Sequence, residues 1–126
     1  MNNVLVVDDE KEICMLLTGM MKKLGFDTSY ANNIEEGKLK LRSSEYNVVF
    51  LDLNLPDGLG FHLIEEVEDS NPNAKIIVIS AYDGNIEKQR AKSEGADFFI
   101  AKPFSKQSVT EALLQLNVPF NKLNKS

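Results

Sequence analysis

Four short apolar stretches of the chain stand out: residues 4–7, 48–51, 76–79 and 98–101. Short runs of this kind, largely β-branched or aromatic and with no alternating polar position, predict strands buried on both faces. Between them the apolar residues recur at helical spacing. Ile13, Leu16, Leu17, Met20, Met21 and Leu24 share one face and stop at Gly25, which predicts an amphipathic first helix. Leu63, Ile64 and Val67 predict a second, and Val109, Ala112, Leu113 and Leu116 a third, started by Ser105 as its cap. Residues 26–31, where Phe26, Thr28 and Tyr30 alternate with polar neighbours, read as a further strand, and residues 34–41 as a short helix. Residues 83–94 complete the helices, with Ile86 and Ala91 as their only apolar anchors, so this helix is expected to dock weakly.

Strand and helix therefore alternate five times. That order predicts an α/β fold, a doubly wound parallel sheet with helices on both faces. No repeat or low-complexity segment interrupts it. Periodicity ends after Asn117, so one domain is drawn over residues 1–118, with residues 119–126 as a tail or the start of a linker.

Composition narrows the functional classes. The 126 residues, 43% hydrophobic and 26% charged, suit one globular domain with a real core. With 14 Lys and Arg against 19 Asp and Glu, the net charge of -5 opposes direct binding of nucleic acid. The longest apolar run, residues 13–17, is far short of the roughly 20 residues that span a membrane. The first residues lack the basic region and long apolar stretch of a secretion signal, and the single cysteine, Cys14, has no partner for an internal disulfide. A cytoplasmic location without membrane attachment is the expectation.

Ligands of open parallel sheets bind beyond the carboxyl ends of the strands. The residues there are Asp8 and Asp9, Asp52, Ser80 and Lys102. Clustered carboxylates repel one another unless a cation relieves them, and Mg²⁺ suits a site with few protein oxygens and room for a phosphate. A carboxylate can also attack phosphorus to give an acyl phosphate, while a metal, an ammonium and a hydroxyl hold the equatorial oxygens.

These motifs, in their order, resemble the receiver domain of two-component response regulators, the CheY-like family, across roughly residues 3–116. Val7-Asp8-Asp9-Glu10 resembles the acidic pair after the first strand, and Leu51-Asp52-Leu53-Asn54-Leu55-Pro56-Asp57-Gly58 the phosphoacceptor strand and its loop. Ser80-Ala81 stands where the family has Thr or Ser and a small residue, Phe99 at its aromatic switch, and Lys102-Pro103 at its Lys-Pro.

The resemblance implies a flavodoxin-like (βα)5 fold with strand order 2-1-3-4-5. It implies a regulatory domain rather than an enzyme, phosphorylated on Asp52 by a histidine kinase, a phosphotransfer protein or a small phosphodonor. Mg²⁺ would be held by Asp9 directly, Asp8 more loosely, Asp52 and the backbone carbonyl of Asn54. Lys102 would pair with the phosphoryl group, Ser80 would move to hydrogen-bond it, Phe99 would follow inward, and the Lys102–Pro103 bond would be cis. Output would be recognition of a downstream protein or a second copy of the chain, through the fourth helix, fifth strand and fifth helix.

Plainer readings attach to several residues. Glu10 reads as an acidic helix start, His62 as a solvated side chain, and Cys14 and the Met20-Met21 pair as packing. A Mg²⁺-dependent phosphohydrolase with an aspartyl nucleophile would place a second aspartate two residues on, where this chain has Asn54. A phosphate-independent receiver is opposed by the intact Asp52 and Lys102.

Overall fold

The apolar runs form the body of one parallel sheet. In the computed structural model, which describes residues 2–81 and 84–121, the strands are β1 (Asn3–Val7), β2 (Asp27–Ala31), β3 (Val48–Asp52), β4 (Lys75–Ser80) and β5 (Phe98–Ala101). Their order is β2-β1-β3-β4-β5, the expected 2-1-3-4-5. Helices α1 (Lys11–Lys23), α2 (Ile34–Ser43), α3 (Phe61–Ser70), α4 (Asn85–Glu94) and α5 (Lys106–Gln115) make the connections. The sheet divides the core. Val4, Val6, Phe50 and Ile77 face α1 and α5, while Leu5, Val7, Leu51 and Val78 face α2, α3 and α4. Successive side chains of a strand point to opposite faces, so a strand covered on both sides needs apolar residues throughout. Every residue of β3 is buried.

The edge strands differ from that expectation. In β5 only Ile100 is buried, and Phe98, Phe99 and Ala101 are half-covered. In β2, Tyr30 is exposed although the alternation suggested otherwise. An edge strand has one neighbour and thinner cover, which an apolar run does not reveal.

The buried stripe of α1 is Cys14, Leu17 and Met21. Leu16 is exposed. At about 100° per residue it stands a quarter turn from Leu17, at the margin of the stripe, and Cys14 takes the place assigned to it. The helix stops where expected. Gly25, at φ +96°, donates to the Lys22 carbonyl and Phe26 to that of Met21, the paired bonds of a Schellman cap. The start of α5 also fits, since the Ser105 hydroxyl accepts from the Ser108 amide.

Two segments depart further from the sequence reading. The anchor expected of Ile86 is absent: its side chain is 79% exposed, and Ala91 is the buried residue of α4. Ile86 lies in the exposed first turn, while Ala91 packs in the core cluster with Ile76 and Val78. Residue 83, where this helix was expected to start, lies outside the described residues. After α5, Asn117 at φ +59° caps the helix, Val118 is buried, and the Asn121 amide donates to Leu24 at 2.8 Å. The stretch without periodicity thus begins by packing on the α1–β2 turn.

Candidate functional site at the carboxyl end of the sheet

β1 and β3 are neighbours in register, Val7 opposite Leu51, so the residues that follow, Asp8 and Asp52, stand side by side. Both are buried, 2% and 6% exposed, whereas Asp9 and Glu10 are exposed where the chain leaves the sheet for α1. Ser80 ends β4 fully buried, one residue beyond the Ile79 that pairs with Asp52. Lys102 follows β5, its amide donating to the Ser80 carbonyl at 2.8 Å and its bond to Pro103 cis, as the resemblance implied.

The Lys102 ammonium joins these strand ends. Its Nζ lies 2.9 Å from Asp8 Oδ2, 3.0 Å from Glu10 Oε1 and 3.4 Å from Asp52 Oδ2. Burial acts against its charge, but hydrogen bonds to Asp8 and Glu10 and the fields of Asp52 and Asp8 outweigh it and hold the group above its ordinary range. The carboxylates show the opposite balance. Burial, then the charge of Asp8, pushes Asp52 up to about 6 against the pull of Lys102. Asp8 is raised as well, chiefly by burial, although it accepts from the Glu10 amide at 2.9 Å. Two dehydrated carboxylates on a single ammonium form a site short of positive charge.

The surroundings fix this arrangement. Gly60, at the entry to α3, presses against the end of β3: its amide donates to Leu53 at 2.7 Å, and a Cβ there would stand 2.0 Å from the Asp52 carbonyl oxygen. Asn54 and Leu55 pair with Leu59 and Gly58 in a small hairpin that closes over Pro56 and Asp57. The loop around Pro56-Asp57-Gly58 does more than connect these strands. The Asp57 carboxylate accepts from the amides of Ile34 at 2.8 Å and Glu35 at 3.1 Å, tying the hairpin to the first turn of α2. Beneath Asp8, its carbonyl oxygen accepts from the Asn32 side-chain amide at 2.8 Å and the Cys14 thiol at 3.3 Å. Burial, then the charge of Asp8, pushes that thiol up to about 11, so Cys14 packs and stays protonated.

Sequence reasoning missed Asn32, Asp57 and the reach of Glu10. Asp57 could have been suspected from its place in a turn beside an acidic motif; Asn32 and Glu10 carry no such signal. Phe99 lies on β5 opposite Val78, with Lys88 Nζ 6.0 Å from its ring centre. The Asn54 amide is 3.5 Å from Asp52 Oδ1. His62 is exposed on α3, as expected.

The donor set fits a hard divalent cation. Carboxylate oxygens of Asp8, Asp9 and Glu10 lie within 4.8 Å of one another, and all are the oxygen type that such ions take. Among the described residues, no helix is long and apolar enough to cross a membrane.

Residues 4–114 match the response regulator receiver domain. The chain belongs to this family. As a receiver domain of two-component signalling it is a regulatory unit rather than a classical enzyme. It is 36% identical over 111 residues to the chemotaxis protein CheY of Thermotoga maritima, covering 87% of this chain and 92% of that one. It is 30% identical over 112 residues to the photosynthetic apparatus regulatory protein RegA of Rhodobacter capsulatus, covering 89% of this receiver but 61% of RegA, which is the longer protein. Among solved structures it resembles a response regulator protein from Burkholderia pseudomallei, with a TM-score of 0.85 and 27% identity over 93% of this chain and 72% of that one. That structure holds a phosphorylated aspartic acid, a calcium ion and citrate.

Proposed function

We propose that Asp52 is the phosphoacceptor. The observation that carries this reading is its position: a buried carboxylate at the end of the central strand, with Asp8 beside it and Lys102 Nζ 3.4 Å away. One Asp52 oxygen attacks the phosphorus of a phosphohistidine or a small acyl phosphate. The bond from phosphorus to the donor breaks, its electron pair leaves with the donor, and an acyl phosphate remains on Asp52. With its carboxyl raised to about 6, Asp52 is mostly ionised at neutral pH and able to attack.

Asp9, Asp8, Asp52 and the Asn54 carbonyl would hold Mg²⁺. When bound, the ion supplies positive charge against the phosphoryl oxygens and the clustered carboxylates. Lys102 pairs with a phosphoryl oxygen, and Ser80, at the end of the adjacent strand, donates its hydroxyl to another. Ser80 moving toward Asp52 vacates space beside β5, which Phe99 takes up, and α4 and β5 change their outer surface. The receiver thereby carries a signal from a histidine kinase or phosphotransfer protein to a downstream protein or a second copy of itself, in the cytoplasm.

Intact mass spectrometry tests the reading. With Mg²⁺ and acetyl phosphate the parent should gain one phosphoryl group and Asp52→Asn none. Equal uptake by the variant would overturn the assignment.

A further inference from the structure

Lys102 is held more tightly by its other carboxylates than by the acceptor. Its Nζ is 2.9 Å from Asp8 and 3.0 Å from Glu10, against 3.4 Å from Asp52. An ammonium has three donors, and three carboxylates already lie within 3.4 Å of it before any phosphoryl group arrives. A phosphoryl group on Asp52 turns its single carboxylate charge into as many as two and offers three acceptor oxygens farther out, which draw Lys102 away from its present partners.

The partners are not equal. Asp8 has a side chain 3% exposed, and losing Lys102 would leave a buried carboxylate uncompensated. Glu10 has a side chain 61% exposed, and water takes over its carboxylate once it lets go. Nor does helix capping explain its orientation, because Glu10 is the residue before α1 and its side chain makes no cap bond.

We propose, on the reading of Asp52 as phosphoacceptor, that Glu10 is a positioning residue that latches Lys102 in the unphosphorylated receiver and is exchanged for a phosphoryl oxygen on activation. The latch competes with the phosphoryl group for the same ammonium. It favours the unoccupied form and sets how readily the site accepts and keeps phosphate. Exposed ion pairs are worth little, and their usual range converts to roughly a 1.4- to fivefold change in an equilibrium constant.

The test is a titration with beryllofluoride, a stable stand-in for the phosphoryl group, at saturating Mg²⁺. The chain has no tryptophan, so calorimetry or amide NMR shifts supply the signal. Glu10→Gln should bind about two- to fivefold tighter than the parent. Glu10→Asp keeps the charge but is one methylene shorter, so it should lose the contact and bind as tightly as Glu10→Gln. In both variants, the ¹⁵N resonance of the Lys102 ammonium should shift before beryllofluoride is added. If Glu10→Asp matches the parent while Glu10→Gln binds more tightly, Glu10 acts only through its general field and the latch is overturned. A parent that binds beryllofluoride with the same affinity as both variants overturns the latch and leaves Asp52 as acceptor. A parent that binds none overturns the acceptor reading and the latch with it.

Discussion

Helix α3 buries Phe61, Leu63, Ile64 and Val67, while α4, of the same ten-residue length, buries Ala91 alone. Each follows a strand that ends in the site, one after Asp52 and the other after Ser80. Fully buried leucine and isoleucine side chains contribute about 1.5–3 kcal/mol each, so α3 is held by several such terms and α4 by a single methyl group. In place of apolar area, α4 has cations over rings. Arg90 lies 4.4 Å from the ring centre of Phe61 on α3, and Lys88 lies 6.0 Å from that of Phe99 on β5. Contacts of this kind at exposed sites are worth about 0.5–1 kcal/mol and reform easily in a new geometry. The difference separates two tasks. On the proposed reading, the acceptor Asp52 sits on the fully buried β3, clamped by Gly60, and the element expected to respond sits where little has to be broken.

Substitutions can break or sharpen that contrast. The largest effect is expected at Leu63→Ala, which should cost about 2–5 kcal/mol in urea denaturation because it opens a cavity in a closed part of the core. Gly60→Ala should cost about 1–3 kcal/mol or more, since its Cβ would meet the backbone oxygen of Asp52 and push the end of β3 aside. It should impair phosphoryl uptake as well, and a variant with parental stability and uptake would show that α3 does not clamp the site.

The dehydration of Asp52 gives a pH test. Its folded carboxyl lies near 6 against 3.8 for an ordinary aspartate, so the folded state binds the proton more readily. Stability contributed by the protonated group is complete below about pH 4 and is lost as pH rises through about 6. The metal-free Asp52→Asn variant should therefore exceed the parent by on the order of 1–3 kcal/mol at neutral pH, and the gap should close on acidification toward pH 4. Parallel stability curves would place the strain elsewhere. Ile86→Ala, at the other extreme, should change stability by no more than about 0.5 kcal/mol. A loss above about 1 kcal/mol would mean that α4 is anchored where the structure leaves it open.

What the sequence made legible follows from the same distinction. Buried strands, the stop at Gly25 and the cap at Ser105 rest on local chemistry that repeats the global fold, whereas the convergence of Asp8, Asp52 and Lys102 depends on the strand order that the family resemblance implied. Ile86 and Leu16 were misjudged because an apolar residue on a helix does not reveal which side the sheet lies on. The contact between Glu10 and Lys102 joins residues 92 apart, and the Asp57 bonds to α2 cross 22 and 23 residues, so no spacing rule reaches them. The end of periodicity at Asn117 hid a cap, because a cap of this kind needs only a residue that tolerates positive φ and a buried neighbour, here Val118.

Amide hydrogen exchange, with and without beryllofluoride at saturating Mg²⁺, tests the division of labour most directly. With occupancy of the site established by titration, amides of α4 and β5 should change their exchange rates while those of β3 and α3 hold theirs. An occupied site with unchanged exchange across Asn85–Glu94, or with α3 moving as much as α4, would contradict the account.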